Sequence, residues 1–212
     1  NVAKKVKVPL SVGGGIRSIK DIENVLLSGA DKVCINSAVI KDIKFLKTAI
    51  KEFGSANISV LIESIKVKNK YYISYLNGRE LVNINPINWS KKIEDTGAGE
   101  IVLTSVNKEG LMNGFDIYLA NKIQKKTKIP IIAHGGAGSF KDIYNLLKLN
   151  NIHGVMIAGM FHYHYLNFTS LNCKKKIGNT EFLKSFKKRN VKKNYILKLK
   201  NYLKEKNINV RL

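Results

Sequence analysis

Short runs of apolar, often β-branched residues alternate along the chain with longer stretches whose apolar positions recur every three or four residues. The first kind reads as buried strand and the second as amphipathic helix. Strands are predicted at 9–12, 32–36, 58–63, 100–105, 130–134 and 154–158. Each is about five or six residues long, as a barrel strand should be. Helix starts are marked by Ser18 ahead of Lys20 and Asp21, by Pro86 at a first-turn position, and by Ser139 ahead of Lys141 and Asp142. Strand and helix in strict alternation specify a parallel sheet with helices packed outside it. One segment departs from the alternation. Residues 67–81 read with period two and turn at Asn77–Gly78, which predicts a β-hairpin on the loop above the third strand. Residues 1–8 read as the end of a helix running into a strand, and six strands do not close a barrel. The chain is therefore expected to be the later part of a longer fold.

The most informative feature is a repeat. Ser18-Ile19-Lys20-Asp21-Ile22-Glu23-Asn24-Val25-Leu26 recurs as Ser139-Phe140-Lys141-Asp142-Ile143-Tyr144-Asn145-Leu146-Leu147. Each copy follows a strand and a glycine cluster, Gly13-Gly14-Gly15 in the first and Gly135-Gly136-Ala137-Gly138 in the second. Such duplication points to a barrel built from two similar halves. Glycines between a strand and a helix let the backbone approach a ligand and aim amide groups at it, and the helix N-terminus adds positive potential. In (β/α)8 enzymes these loops hold substrate phosphates. One strand later, Asn36 and Ser37 after the first copy and Ala158 and Gly159 after the second are placed to complete each cup. Two cups at one barrel mouth imply a ligand with a phosphate at each end.

Composition narrows the function classes. The 212 residues, 44% of them hydrophobic, suffice for a real core. Lys and Arg number 37 against 15 Asp and Glu, a formal charge of +22 that is mostly lysine and thickens at Lys174 to Lys176 and Lys187 to Arg189. No nucleic-acid-binding motif accompanies it, so the excess reads as a solvated surface, with no nucleic acid expected. No apolar run is long enough to span a bilayer and no signal pattern opens the chain, so a cytoplasmic protein off the membrane is expected. Cys34 and Cys173 match no metal or redox spacing and read as free thiols, Cys34 buried and structural. His162 and His164 have no carboxylate neighbour, so no metal is expected, and no cofactor either.

Further runs carry a resemblance. Ser11-Val12-Gly13-Gly14-Gly15-Ile16, Gly29-Ala30-Asp31-Lys32-Val33, Gly97-Ala98-Gly99-Glu100-Ile101, Leu103-Thr104-Ser105, Gly114-Phe115-Asp116 and His134-Gly135-Gly136-Ala137-Gly138 stand in the order and spacing of the cyclase subunit of imidazole glycerol phosphate synthase. The closing run Asn207 to Leu212 resembles that family too. The resemblance implies a phosphate-binding (β/α)8 TIM barrel of which strands three to eight are here. Residues 1–165 would be core βα units, 166–193 a basic insertion, and 194–212 a C-terminal helix and tail. It implies a heterodimer with a glutaminase subunit, whose ammonia crosses the barrel to a bisphosphorylated aminoimidazole carboxamide ribonucleotide and closes an imidazole in histidine biosynthesis. Gly14, Gly15, Asn36 and Ser37 would hold one phosphate. Gly110, Gly135, Gly136, Ala137 and Gly159 would hold the other. Glu63 stands where the family has a catalytic aspartate and would be half of an acid/base pair, with Thr104, Asn107, Glu109 and His134 also in the pocket. Glu63, Asn107, Glu109, His134 and Gly159 differ from the residues usual in the family. Those departures keep a second reading open, a related subunit that channels ammonia for amidation of a surface sugar.

Overall fold

In the computed structural model, residues 2–76, 78–149, 151–168 and 195–211 are described. In chain order the elements are β1 (Ser11–Gly13), α1 (Ile19–Leu27), β2 (Lys32–Ile35), α2 (Ser37–Lys41), α3 (Ile43–Phe53), β3 (Ile58–Val67), β4 (Lys70–Tyr75) and β5 (Glu80–Val82). They continue as α4 (Pro86–Thr96), β6 (Glu100–Ser105), α5 (Ile117–Gln124), β7 (Ile131–His134), α6 (Phe140–Leu147), β8 (Ile152–Met156), α7 (Gly159–Phe168) and α8 (Tyr195–Glu205). The strands β1-β2-β3-β6-β7-β8 lie side by side in that order, every neighbour parallel, with β4 and β5 hung from β3. This is the curled sheet of a partial (β/α)8 barrel. Among the described residues, the outer edges of β1 and β8 pair with no further strand.

Period-two alternation divides each strand between two faces. Val33, Ile35, Ile58, Val60, Ile62, Ile101, Leu103 and Ile131 face the helices and are buried. Ile22, Leu46, Ile93, Ile123, Ile143 and Leu146 press on them from the helices and are fully buried. Burying one such side chain is worth about 1.5–3 kcal/mol, so this outer layer supplies the driving force that curls the sheet. The opposite face lines the barrel interior in levels: Lys32, Cys34, Ser59 and Glu100 toward one end, Leu61, Val102 and Ile132 across the middle, and Glu63, Thr104 and His134 at the other end.

The helix starts follow the sequence signals. Ser18 and Ser139 both cap their helices with complete capping boxes, closed by Asp21 and Asp142, and Asn85 caps α4 with Pro86 directly behind it. The two repeat copies are thus the same local structure. Two elements differ from expectation. Residues 2–8 form one isolated turn, Lys5 N and Val6 N both donating to Val2 O at 2.8 and 3.2 Å, because Pro9 holds Val8 out of the helical region. β3 does not stop at Glu63; it continues to Val67 and pairs antiparallel with β4, which pairs with β5. The hairpin is a three-stranded extension of β3, not a separate insert. Asn77, at its second turn, lies outside the described residues, as do Cys173 and nearly all of the basic insertion.

Candidate functional site at the C-terminal rim

Parallel register sets the rim. Glu63 lies beside Thr104, Thr104 beside His134, and His134 beside Met156, so four adjacent strands present one residue each in a row. At one end of the row Asn36 Nδ2 donates to Glu63 Oε2 at 3.0 Å, and near the other Thr104 Oγ1 and His134 Nδ1 share a hydrogen bond of 3.1 Å. Glu63 is only 9% exposed. Burial pushes its carboxyl above the usual glutamate range, Asn36 opposes the rise by bonding the charged form, and the negative charge of Glu109 adds to it. The structure thus brings the two expected carboxylates within electrostatic reach. Asn36 faces Glu63 and leaves its own Oδ1 buried without a partner, an acceptor still open to a ligand donor.

A raised carboxyl carries a stability consequence. The folded state holds the Glu63 proton more tightly than the unfolded chain, so this contribution is complete below the ordinary glutamate pKa and is lost as pH rises through the higher folded value. Glu63→Gln is therefore expected to unfold at higher urea than the parent at pH 8. Its advantage should shrink to nothing by pH 4.

The second glycine turn forms the wall of a cavity of about 170 Å³. Gly110, Gly135, Gly136, Ala137 and Gly159 all line it, together with Glu109 and His134. Ala158 lines it too, and sequence reasoning missed Met112, Met156 and Ile157, which complete the lining. Met156 was legible only through the strand register. The turn is held by the β6–α5 loop: Gly114 N donates to Gly136 O at 2.8 Å, and a Cβ at residue 136 would lie 2.2 Å from Gly114 O. The first turn repeats the backbone without that support. Gly15 (φ 73°) matches Gly136 (φ 107°) in the repeat, yet a Cβ there would meet nothing within 4 Å. Gly14 and Gly15 are exposed, and Ser37 opens α2 beside them on the next strand's loop. From β1 to β7 the sheet takes four steps, β1-β2-β3-β6-β7, which is half the circumference of an eight-stranded barrel. The two turns therefore stand on opposite sides of one rim.

Asn107 is not among the residues that line the cavity. Its side chain clamps the β3 extension, accepting from Lys66 N at 2.5 Å and donating to Lys66 O at 3.2 Å. At the far end of the same loop, Tyr71 Oη donates to the Asp116 carboxylate at 3.0 Å while Asp116 caps α5. Burial first, and then the Asp116 carboxylate, hold the Tyr71 hydroxyl far above its usual range, so it stays a donor. The extension thus fixes both ends of the loop that carries Glu109 and Gly110. Asn107→Ala removes both Lys66 bonds and is expected to lower stability by about 1–2 kcal/mol in urea unfolding.

At the opposite end of the interior, Lys32 Nζ and Glu100 Oε2 form an ion pair of 2.9 Å across β3. Cys34 lies above it, a free thiol of intermediate exposure whose pKa burial raises. Among the described residues no group of three or more His, Cys, Asp or Glu is placed to hold a metal. No described helix is long and apolar enough to cross a membrane.

Fold and rim together define a class, the (β/α)8-barrel proteins built from two half-barrel repeats. The family described as "Histidine biosynthesis protein" matches residues 1–167, and the chain belongs to it. Among curated relatives, the imidazole glycerol phosphate synthase subunit HisF of Prochlorococcus marinus (strain MIT 9515) is 40% identical over 163 residues, 76% of this chain and 63% of that protein. The subunit of the same name from Sulfolobus acidocaldarius is 41% identical over 162 residues, 76% of this chain and 64% of the relative. That of Bacillus cereus (strain Q1) is 38% identical over 180 residues, 84% of this chain and 71% of the relative. The chain thus spans less than two thirds of the first two.

Proposed function

We propose that the rim is the active site of an imidazole glycerol phosphate synthase cyclase subunit, acting in the cytoplasm in histidine biosynthesis. Its substrates would be ammonia and a bisphosphorylated aminoimidazole carboxamide ribonucleotide. The observation that carries the reading is the duplicated glycine turn, one copy walling a cavity and the other open, on opposite sides of one mouth. Each turn offers backbone amides to one phosphate and so fixes the molecule between them. Glu63 lies on the strand between the two turns, and burial that raises its carboxyl above the usual glutamate range suits it to hold and pass on a proton.

Ammonia comes from a partner glutaminase seated on the face where the strands begin. That face supports the assignment with a hollow of about 380 Å³ lined by Lys7, Leu10, Gly29 and Asp31. On the same face Leu27 is 76% exposed. The barrel interior lies between this face and Glu63, with an apolar layer of Leu61, Val102 and Ile132 directly beneath the rim. The test is turnover by the full chain supplied with ammonium salt and the bisphosphate, followed by release of the aminoimidazole carboxamide ribonucleotide and imidazole glycerol phosphate. Tight binding of the bisphosphate with no imidazole product would replace ring closure by a binding or channelling role.

A further inference from the structure

A cavity that takes an anion while carrying Glu109 on its wall needs a compensating donor besides backbone amides. Among its lining side chains, methionines and aliphatics supply none, and His134 is the one that takes a positive charge. Its ring is already held. Nδ1 sits 3.1 Å from Thr104 Oγ1, and Thr104 is buried at 3% exposure. A hydroxyl both donates and accepts, so Thr104 serves either protonation state. It donates to Nδ1 of the neutral ring and accepts from Nδ1–H of the charged one. The charged ring always carries a hydrogen on Nε2, and an anion at Nε2 selects the neutral tautomer that keeps one there, with Thr104 then donating to Nδ1.

We propose that His134 is the side-chain donor of the second anion cup, so that a dianion binds there more tightly when the imidazole is protonated. The proposal rests on the reading of that cup as a phosphate site and adds a pH-dependent ligand to it. Charged and titratable groups surround the ring from each neighbouring element. Glu63 lies beyond Thr104 in the same row, and Glu109 and Lys108 stand on the β6–α5 loop. Asp142 closes the α6 cap beyond Gly138, and Tyr163 of α7 lies over Gly159. From β8 the neighbour is the uncharged Met156. Neutral His134 still donates through Nε2, so binding weakens at high pH without vanishing.

Sulfate is the suitable probe, since it stays a dianion across the whole range while phosphate does not. The full chain is titrated with sulfate at pH 5.5 and 8.5 at constant ionic strength, following the backbone amides of Gly136, Ala137 and Gly159 by NMR. The parent is expected to bind about tenfold more weakly at pH 8.5. His134→Gln keeps a neutral donor and should match the parent at pH 8.5 but lose the tenfold gain at pH 5.5. His134→Ser should bind weakly at both. If His134→Gln keeps the parent's full pH slope, the charge that matters is elsewhere and the proposal fails while the cup stands. If sulfate moves none of the three amides in the parent at either pH, the cup reading falls and takes the proposal with it.

Discussion

Gly136→Ala is expected to lower stability by about 3–4 kcal/mol and to weaken binding of the bisphosphate by at least about a hundredfold. Two effects add. The new Cβ would lie 2.2 Å from Gly114 O, and φ of 107° is a conformation that an L side chain rarely adopts. Relieving the clash must move the β6–α5 loop, which breaks the Gly114 N to Gly136 O bond and carries Gly110 and Glu109 out of the cavity. Gly15→Ala is the internal control. It has the same backbone demand, φ of 73°, and no atom within 4 Å, so only the left-handed strain of about 1–2 kcal/mol applies. Urea unfolding of the two variants separates strain from clash. Equal losses would mean that the β6–α5 loop does not brace the second turn.

The second large effect falls on Glu63. Removing a positioned general acid or base typically slows its step by about a hundredfold to ten-thousandfold. Glu63→Gln keeps an oxygen able to accept from Asn36 Nδ2, so the geometry at the rim survives while the titrating proton is gone. Ammonia-dependent turnover should therefore fall by that factor with little change in KM for the bisphosphate, and the folded protein should be no less stable at pH 8. A large rise in KM with turnover intact would make Glu63 a binding residue instead.

The sequence was most legible where a local rule decides the structure. Ser18 and Ser139 advertise capping boxes that form as read, because a cap involves only four successive residues. The six barrel strands were visible in their β-branched runs, since the outward face of each must be apolar wherever it meets a helix. The residues expected in the second cup line one cavity. Long-range pairing was not legible. The sequence reads as a strand ending at Glu63 and a hairpin beginning at residue 67, but residues 64–67 continue β3, with β4 on one side and the β6–α5 loop on the other. The resemblance puts Asn107 in the pocket, yet its two Lys66 bonds depend on a strand extension forty-odd residues earlier. Lys32 and Glu100 were invisible as a pair because β3 lies between their strands.

The account depends on two duplicated turns gripping one molecule at both ends. Its most direct test is an NMR titration of the full chain with the bisphosphorylated aminoimidazole carboxamide ribonucleotide, following Gly15 and Ser37 on one side and Gly136 and Gly159 on the other. The account predicts that all four amides shift together along a single saturation curve. Two curves with different midpoints, or shifts confined to one turn, would contradict it.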